Sequence, residues 1–334
     1  MTLTLSITRR RLFAGFALAA GLATGLSSVP AAAETPMLMA SGYPDSNFMT
    51  VNIRMFLDEI ADTADISVDL KSNGALIPLN SIKGAVQKGQ VQLGEVRLGV
   101  HANEEPMLDL AGVPFVAPDY STVWLLKDFQ KDYVSNWFES QGLVLLYQAP
   151  WPGAGFYTKG PMQSLENLKG KRLRIPNTPM QSMGNLLGYN AVLLPFAEVP
   201  QAFSTGLIDA MFTSPQTGID IQAWDHTDHF TYVGASLATN AVFMNRRAFD
   251  ALTPDQQAAI QVAAEHAELR GWEMSAAATE AQIVTLQDNG MTIGTLPADI
   301  AARLDEIAPQ LVGDWLEIAS PEAVEVYQRY QKLR

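Results

Sequence analysis

The chain has 334 residues and a formal net charge of −13, with 22 basic and 35 acidic side chains. Such an acidic surface repels phosphate backbones and anionic lipid head groups, so nucleic acid and membrane surfaces are poor partner candidates. The sequence contains no cysteine, which excludes thiol catalysis, disulfides and thiolate metal sites.

The first 33 residues have the pattern of an export signal. Arg9, Arg10 and Arg11 precede a charge-free stretch, residues 12–33, that ends in an A-x-A cleavage motif. Paired arginines favour twin-arginine export, while ordinary secretion and a retained membrane anchor are the alternatives. Cleavage after Ala33 leaves 334 − 33 = 301 residues and removes three arginines and no acids, so the formal charge moves from −13 to −16. We therefore expect a periplasmic protein of two lobes, with no membrane insertion after cleavage.

Strands and helices alternate along the first half of the remaining chain. The patterns predict strands at residues 36–40, 68–70, 91–98 and 143–147, and helices at residues 47–61, 79–87 and 121–140. Strands separated by helices favour parallel pairing and an α/β architecture. The Pro- and Gly-rich residues 149–155 form the predicted crossover between the lobes.

A further strand and helix are predicted just after the middle of the chain. Residues 173–176 have the pattern of a strand end, and Thr178 is the predicted N-cap of the helix that follows. Pro179 suits the first turn, Gln181 completes a capping box, and Gly188 is the predicted stop. The segment therefore passes from strand to helix within a few residues.

Arg174 lies at this change from strand to helix. The carboxyl end of a strand facing a helix N-terminus is where open α/β sheets bind small anions. A planar guanidinium there suits bidentate capture of a carboxylate. The alternative is a solvent-exposed arginine that closes a strand.

Further strands are predicted at residues 191–194, 207–212 and 241–244, and the last of these returns to the first lobe in this interpretation. A helix of roughly 36 residues follows, with Thr253 as N-cap, Gln256 completing a capping box, and Asn289 and Gly290 as the stop. One face carries a narrow stripe of small residues, so we expect close packing on that face. A coiled coil is the alternative, although the stripe is poor in leucine.

Three short segments resemble the signature blocks of a known family. They are residues 170–176 (GKRLRIP), 194–199 (LPFAEV) and 205–210 (TGLIDA). In this order and spacing they resemble the TRAP-type solute receptors, the extracytoplasmic binding proteins of tripartite, ATP-independent transporters. The resemblance implies a two-lobed α/β periplasmic binding protein fold, type II-like, with a long helix bracing both lobes. It also implies a receptor that delivers a small organic carboxylate to an ion-coupled membrane permease, with no cofactor, no metal and no catalysis.

Together, the signals and the resemblance imply a division of the chain. Residues 1–33 form the signal peptide, residues 34–151 and about 241–270 form the first lobe, and residues 152–240 and about 271–334 form the second lobe.

Arg174 matches the arginine that binds the ligand carboxylate in that family. Among the other candidates, Asn177 follows at the helix entrance, where it either binds the ligand or caps the helix. Phe196 matches the family's aromatic position, with core packing as its alternative. The other expected site residues are Arg97 as a second cation, Thr213 and Ser214 at a strand end, Trp151 as an apolar wall, and Asn47 and Asn240.

Two departures from the family pattern bear on the ligand. Ala154 stands near the position where sialic-acid receptors have a second arginine, and residues 212–215 (FTSP) replace their acidic-amide-proline sequence. Sialic acid is therefore a poor candidate.

Other classes of function lack the residues that they need. His226 and His229 lie close together in sequence with two aspartates, but no third strong ligand accompanies them, so a metal site is disfavoured. A receptor of an ATP-driven importer would share the fold class but not the three blocks. A periplasmic hydrolase or lyase would need a nucleophile, base or metal near Arg174.

Overall fold

The computed structural model describes residues 37–334, and the predicted export signal lies outside the described residues. Eleven strands occur in this part of the chain: β1 Met37–Ala40, β2 Val68–Lys71, β3 Leu93–Arg97, β4 Leu143–Pro150, β5 Gly155–Thr158, β6 Arg172–Ile175, β7 Asn190–Leu193, β8 Ala210–Thr213, β9 His229–Tyr232, β10 Thr239–Asn245 and β11 Thr292–Gly294.

The α-helices of the described residues are α1 Phe48–Ala64, α2 Ile82–Gln87, α3 Tyr120–Ser140, α4 Thr178–Leu186, α5 Val199–Ser204, α6 Pro215–Asp220, α7 Arg246–Asp250, α8 Pro254–Asp288, α9 Ala298–Ile318 and α10 Pro321–Gln331. Short 3₁₀ helices cover Leu79–Ser81, Leu98–His101, Pro106–Gly112, Leu165–Leu168, Phe196–Glu198 and Ala223–Asp225.

The strands form two sheets, one in each lobe of a mixed α/β architecture. The first sheet has the order β2-β1-β3-β10-β4, and the second has the order β11-β9-β5-β8-β6-β7. In the first sheet β10 runs antiparallel to both neighbours, with Asn240 opposite Arg97 on one side and Ala149 on the other. The return of residues 241–244 to the first sheet, predicted from sequence, is therefore confirmed.

Several boundaries differ from the sequence predictions. Asn177, not Thr178, caps α4, because the Asn177 side chain accepts a hydrogen bond from the Met180 N–H at 3.0 Å. Gln181 forms no capping box; its side chain donates to the carbonyl of Ala191 instead. Strand β8 starts only at Ala210, because Gly206, with φ of 68°, turns the chain after α5.

The predicted long helix is confirmed as α8. Thr253 and Gln256 form the expected capping box, and Gly290 follows the helix with φ of 95°. Its 35 residues span about 52 Å at the standard rise. The side chain of Asn52 on α1 donates to the Ala267 carbonyl at 2.8 Å, and that of Gln282 donates to Gln216 on α6 at 2.6 Å. The helix thus braces elements of both lobes.

The close approach of α8 to the first sheet depends on Gly271. A Cβ at this position would lie 2.8 Å from the Ala149 Cβ and 2.8 Å from the Asn52 amide nitrogen. Gly271→Ala is therefore expected to destabilise the protein by about 1 to 3 kcal/mol. Gly313→Ala in α9, where a Cβ meets nothing within 4 Å, should instead stabilise it by about 0.5 to 1 kcal/mol through helix propensity. Urea unfolding of both variants checks this contrast, and a Gly271→Ala variant as stable as the parent would contradict it.

Candidate functional site

A cavity of about 470 Å³ lies between the two sheets. Its walls come from the segments that follow β1 and β3 in the first sheet and β6, β7 and β8 in the second. Seven of the residues expected from sequence line it, namely Arg97, Trp151, Arg174, Asn177, Phe196, Thr213 and Ser214. Asn47 and Asn240 do not line it.

Arg174 is a buried cation without a carboxylate partner among the described residues. Its side chain is 3% exposed, and Nε and Nη2 donate to the carbonyl of Leu194 at 3.1 and 2.9 Å. Burial and the charge of Arg97 lower the Arg174 pKa to about 9, so the guanidinium stays positive at neutral pH. Nη1 has no hydrogen-bond partner in the part of the chain that the structure describes. A buried charge in this state favours an anionic ligand.

Arg97 reaches the cavity from the other sheet. Its Nη2 donates to the Pro176 carbonyl at 2.9 Å, next to β6, and its Nη1 lies 3.4 Å from the carboxylate of Asp109. With a side chain only 12% exposed, Arg97 is not a solvated arginine at a strand end.

Asn177 has its side chain committed to protein contacts. The Oδ1 atom caps α4, and this fixes the amide orientation so that Nδ2 donates to Asp109 at 3.0 Å. Asn177 therefore caps the helix, as one of the two sequence interpretations predicted, and it also lines the cavity. Direct contact of Asn177 with a ligand stays a prediction.

Aromatic rings form one wall of the cavity. Tyr43 packs edge-on against Trp151, with ring centroids 4.9 Å apart, and against Phe196 at 5.8 Å. Such edge-to-face pairs hold their rings in defined orientations. The wall offers an apolar surface to the body of a ligand.

Asn240 lies behind this wall. It accepts a hydrogen bond from the Trp151 indole N–H at 2.6 Å and donates to Glu95 at 2.9 Å. Glu95 also accepts from the Ser41 hydroxyl at 2.5 Å. Burial raises the pKa of Glu95 to about 7, against the effect of these two neutral donors. Asn240 thus orients Trp151 and does not reach the cavity itself.

Thr213 ends β8 at the cavity edge, and Ser214 follows it. The Ser214 hydroxyl caps α6 by accepting from the Thr217 N–H at 3.2 Å. No hydrogen bond within the described residues occupies the Thr213 hydroxyl, so it is available to a ligand.

Asn47 joins elements of the two lobes outside the cavity. Its Oδ1 accepts from the Met49 N–H at the start of α1, and its Nδ2 donates to Asp220 on α6 at 2.7 Å. Gln216 donates to the other oxygen of Asp220 at 2.7 Å. Burial raises the pKa of Asp220 to about 6.

The histidines considered for a metal site have other partners. The His226 ring stacks on Phe203 with centroids 5.2 Å apart, and His229 contacts the neighbouring Asp228 at 2.7 Å. Across residues 37–334, no three His, Asp or Glu side chains are grouped so as to hold a metal ion.

Tyr43 and Asp109 are site residues that were not predicted from the sequence. Tyr43 follows β1, and its place beyond the carboxyl end of a parallel strand, where α/β sheets bind ligands, was the signal available in the sequence. Asp109 is an isolated charge within the apolar residues 106–113, which was a signal for a buried ion pair.

Comparison with known proteins agrees with this architecture. The structure of DctP7 of Bordetella pertussis, an extracytoplasmic solute receptor binding pyroglutamic acid, is 36% identical, has a TM-score of 0.86, and is matched over 89% of this chain and 99% of that receptor. DctP6 of the same organism, also binding pyroglutamic acid, is 32% identical with a TM-score of 0.85 over 89% and 100% of the two chains. The ectoine/5-hydroxyectoine-binding periplasmic protein UehA of Ruegeria pomeroyi is 23% identical over 326 residues, 95% of this chain and 93% of UehA.

Residues 40–317 match a family described as bacterial extracellular solute-binding protein, family 7. Within the described part of the chain, no helix is both long and apolar enough to cross a membrane. The resemblance to TRAP-type receptors is confirmed, and the chain belongs to family 7 of the bacterial extracellular solute-binding proteins.

Proposed function

We propose that this solute-binding protein captures a small cyclic or open-chain monocarboxylate of the pyroglutamate type. The observation that carries the proposal is Arg174, a buried guanidinium on the cavity wall whose hydrogen bonds within residues 37–334 go only to the Leu194 carbonyl. A ligand carboxylate would supply the missing negative charge through two parallel hydrogen bonds.

The ligand class follows from the relatives and from the shape of the site. The two Bordetella receptors bind pyroglutamic acid, a five-membered lactam with one carboxylate. The ring would lie against the aromatic wall of Tyr43, Trp151 and Phe196. The lactam N–H and C=O would need polar partners, and the Thr213 hydroxyl at the cavity edge is available. The volume of about 470 Å³ is within the range of small-molecule sites.

We further propose that the protein acts in the periplasm and delivers its ligand to an ion-coupled TRAP permease of the membrane. This is supported by family membership and by the export pattern of the first 33 residues.

The two sheets bear on the proposed division of the chain into lobes. Residues 143–150 and 239–245 belong to the first sheet, which supports their assignment to the first lobe. The C-terminal segment fits the first lobe better than the second, because Tyr330 donates to the Val116 carbonyl and Tyr133 on α3 contacts Ser320.

We also propose that the bound acid leaves unchanged, without catalysis. Arg174 and Arg97 contact carbonyl groups and a carboxylate, and the cavity lining includes no His, Glu, Asp or Lys among the described residues. Such a lining offers no general base.

A thermal-shift screen tests the proposal. Pyroglutamate, other mono- and dicarboxylates, sugar acids and ectoine are compared, because a ligand at 100 times its Kd adds about 2.7 kcal/mol to the free energy of unfolding. Two matched analogues dissect the contacts: 2-pyrrolidone lacks the carboxylate, and cyclopentanecarboxylate lacks the lactam. We expect pyroglutamate to raise the melting temperature more than either analogue does. Absence of any shift with all acids would overturn the proposal, and a mass change in a recovered ligand would indicate an enzyme.

A further inference from the structure

Two guanidinium groups line the same small cavity. Arg97 comes from the end of β3 and Arg174 from β6, and both side chains are largely buried. They are close enough for the charge of Arg97 to lower the pKa of Arg174. If both charges were free, the cavity would suit a dianion.

Asp109 is buried beside Arg97 and brings a carboxylate close to one of the two charges. Its carboxylate is 3% exposed, with Oδ1 at 3.4 Å from Arg97 Nη1 and at 3.0 Å from the Nδ2 donor of Asn177. The other oxygen, Oδ2, is buried without a hydrogen-bond partner in the described structure. Burial raises the pKa of Asp109, and Arg97 and Asn177 oppose this by favouring the ionised form.

The surroundings of Asp109 accommodate its carboxylate specifically. A Cβ added at Gly99 or at Gly112 would overlap Oδ1 of Asp109. The Asn177 amide is also directed, because its oxygen is used by the α4 cap and only its N–H groups can face Asp109. The two glycines therefore leave room for the Asp109 side chain, and the oriented amide of Asn177 favours its ionised form.

We propose that Asp109 determines the charge of the ligand, by neutralising Arg97 so that the cavity keeps one net positive charge and selects monoanionic over dianionic acids. The inference rests on the proposed function and adds a specificity residue that does not itself touch the ligand. Asp109 acts through Arg97 and Asn177, which do line the cavity. The remaining cation, Arg174, then pairs with a single carboxylate.

Two acids of nearly equal shape test the proposal. Glutarate carries two carboxylates, and glutaramate, its monoamide, carries one. Affinities are measured by calorimetry or by competition with pyroglutamate at one pH, so that the buried carboxyl groups of Glu95 and Asp220 contribute equally throughout. We expect the parent protein to bind glutaramate at least about tenfold more tightly than glutarate.

Three variants change the charge in defined steps. Asp109→Asn should shift the ratio of the two affinities towards glutarate by about tenfold or more. Arg97→Gln should weaken both acids, and glutarate more than glutaramate, because Asp109 then opposes Arg174 and the cavity keeps no net positive charge. The Arg97→Gln/Asp109→Asn double variant should recover glutaramate binding and the parental preference, since a buried pair is removed as a unit. Asp62→Asn, at an exposed position on α1, is the control and should leave the ratio unchanged.

The outcomes separate the two proposals. A parent protein that binds no organic acid would overturn the proposed function. A parent that binds glutaramate, with Asp109→Asn folded by thermal denaturation and its ratio unchanged, would overturn the charge-setting role alone. If Asp109→Asn does not fold, the charge-setting role is tested by comparing Arg97→Gln with the double variant. Failure of the double variant to recover glutaramate binding would overturn that role.

Discussion

Replacing Arg174 with alanine is expected to weaken binding of the carboxylate ligand by about 30-fold to several thousandfold, or roughly 2 to 5 kcal/mol. The cause is the loss of the buried cation that we propose pairs with the ligand carboxylate, since Arg97, the other cation of the lining, already lies beside Asp109. The fold should survive, because the variant removes a charge that is costly to bury and, among the residues that the structure describes, loses only the hydrogen bonds to the Leu194 carbonyl. Isothermal titration calorimetry with the ligand from the thermal-shift screen gives the affinities.

Two comparisons make the Arg174 result specific. Arg174→Lys should recover only part of the loss, since an ammonium group cannot form the planar pair of hydrogen bonds. Arg172→Ala is the matched control, because Arg172 lies on the same strand but pairs with Asp209 at the surface. The affinity of the Arg172→Ala variant for the ligand should stay near that of the parent protein. A folded Arg174→Ala variant within about threefold of parental affinity would contradict the anchoring role.

The second large effect concerns Glu95 and the pH dependence of stability. Glu95 is 1% exposed and its hydrogen-bond partners, Ser41 and Asn240, are neutral. Burial raises its pKa in the folded protein from 4.5 to about 7. Between these two values the folded protein holds a proton that the unfolded chain releases. The contribution of Glu95 to stability is therefore fully present below pH 4.5 and is lost as the pH rises to about 7.

The Glu95→Gln variant isolates this contribution. Glutamine imitates the protonated acid, since its oxygen can accept from Asn240 and its amide can donate to Ser41. We expect the variant and the parent to be about equally stable near pH 4.5, and the variant to be more stable by about 3 kcal/mol at pH 8. Burial of Asp220 also lowers the stability of the folded protein as the pH rises from 3.8 to about 6, and this loss occurs in both the parent and the variant.

Urea unfolding of the ligand-free proteins at a series of pH values from 4.5 to 8 measures this difference. Parallel stability curves for the parent and Glu95→Gln would contradict a raised pKa at Glu95. A variant less stable at every pH would instead indicate that the hydrogen bonds of residue 95 matter more than its charge.

Local patterns in the sequence were sufficient for the elements that carry their own signals. The α8 capping box, formed by Thr253 and Gln256, and the glycine after its end lie within a few residues of the atoms they serve. The same holds for β6, which places Arg174 beside the start of α4. The three signature blocks are likewise contiguous, so the family could be identified before any packing was known.

The choice between neighbouring residues of similar propensity needed the tertiary structure. Asn177 and Thr178 are both good helix caps by residue type, and sequence favoured Thr178. The structure has Asn177 in this role, and its amide also faces Asp109, which is 68 residues away in sequence. Such a long-range contact leaves no local pattern.

The family, the α/β class, the long bracing helix and the position of Arg174 between strand and helix could all be predicted from the sequence, because each depends on short-range signals. Which polar residues face the cavity depends instead on the packing of distant segments. Asn240 and Glu95 are 145 residues apart and meet behind the aromatic wall, and Asn47 and Asp220 are 173 residues apart and meet between the lobes. Burial by distant segments then decides the charge on Glu95 and leaves Arg174 without a carboxylate partner among the described residues, and no window of sequence contains that information.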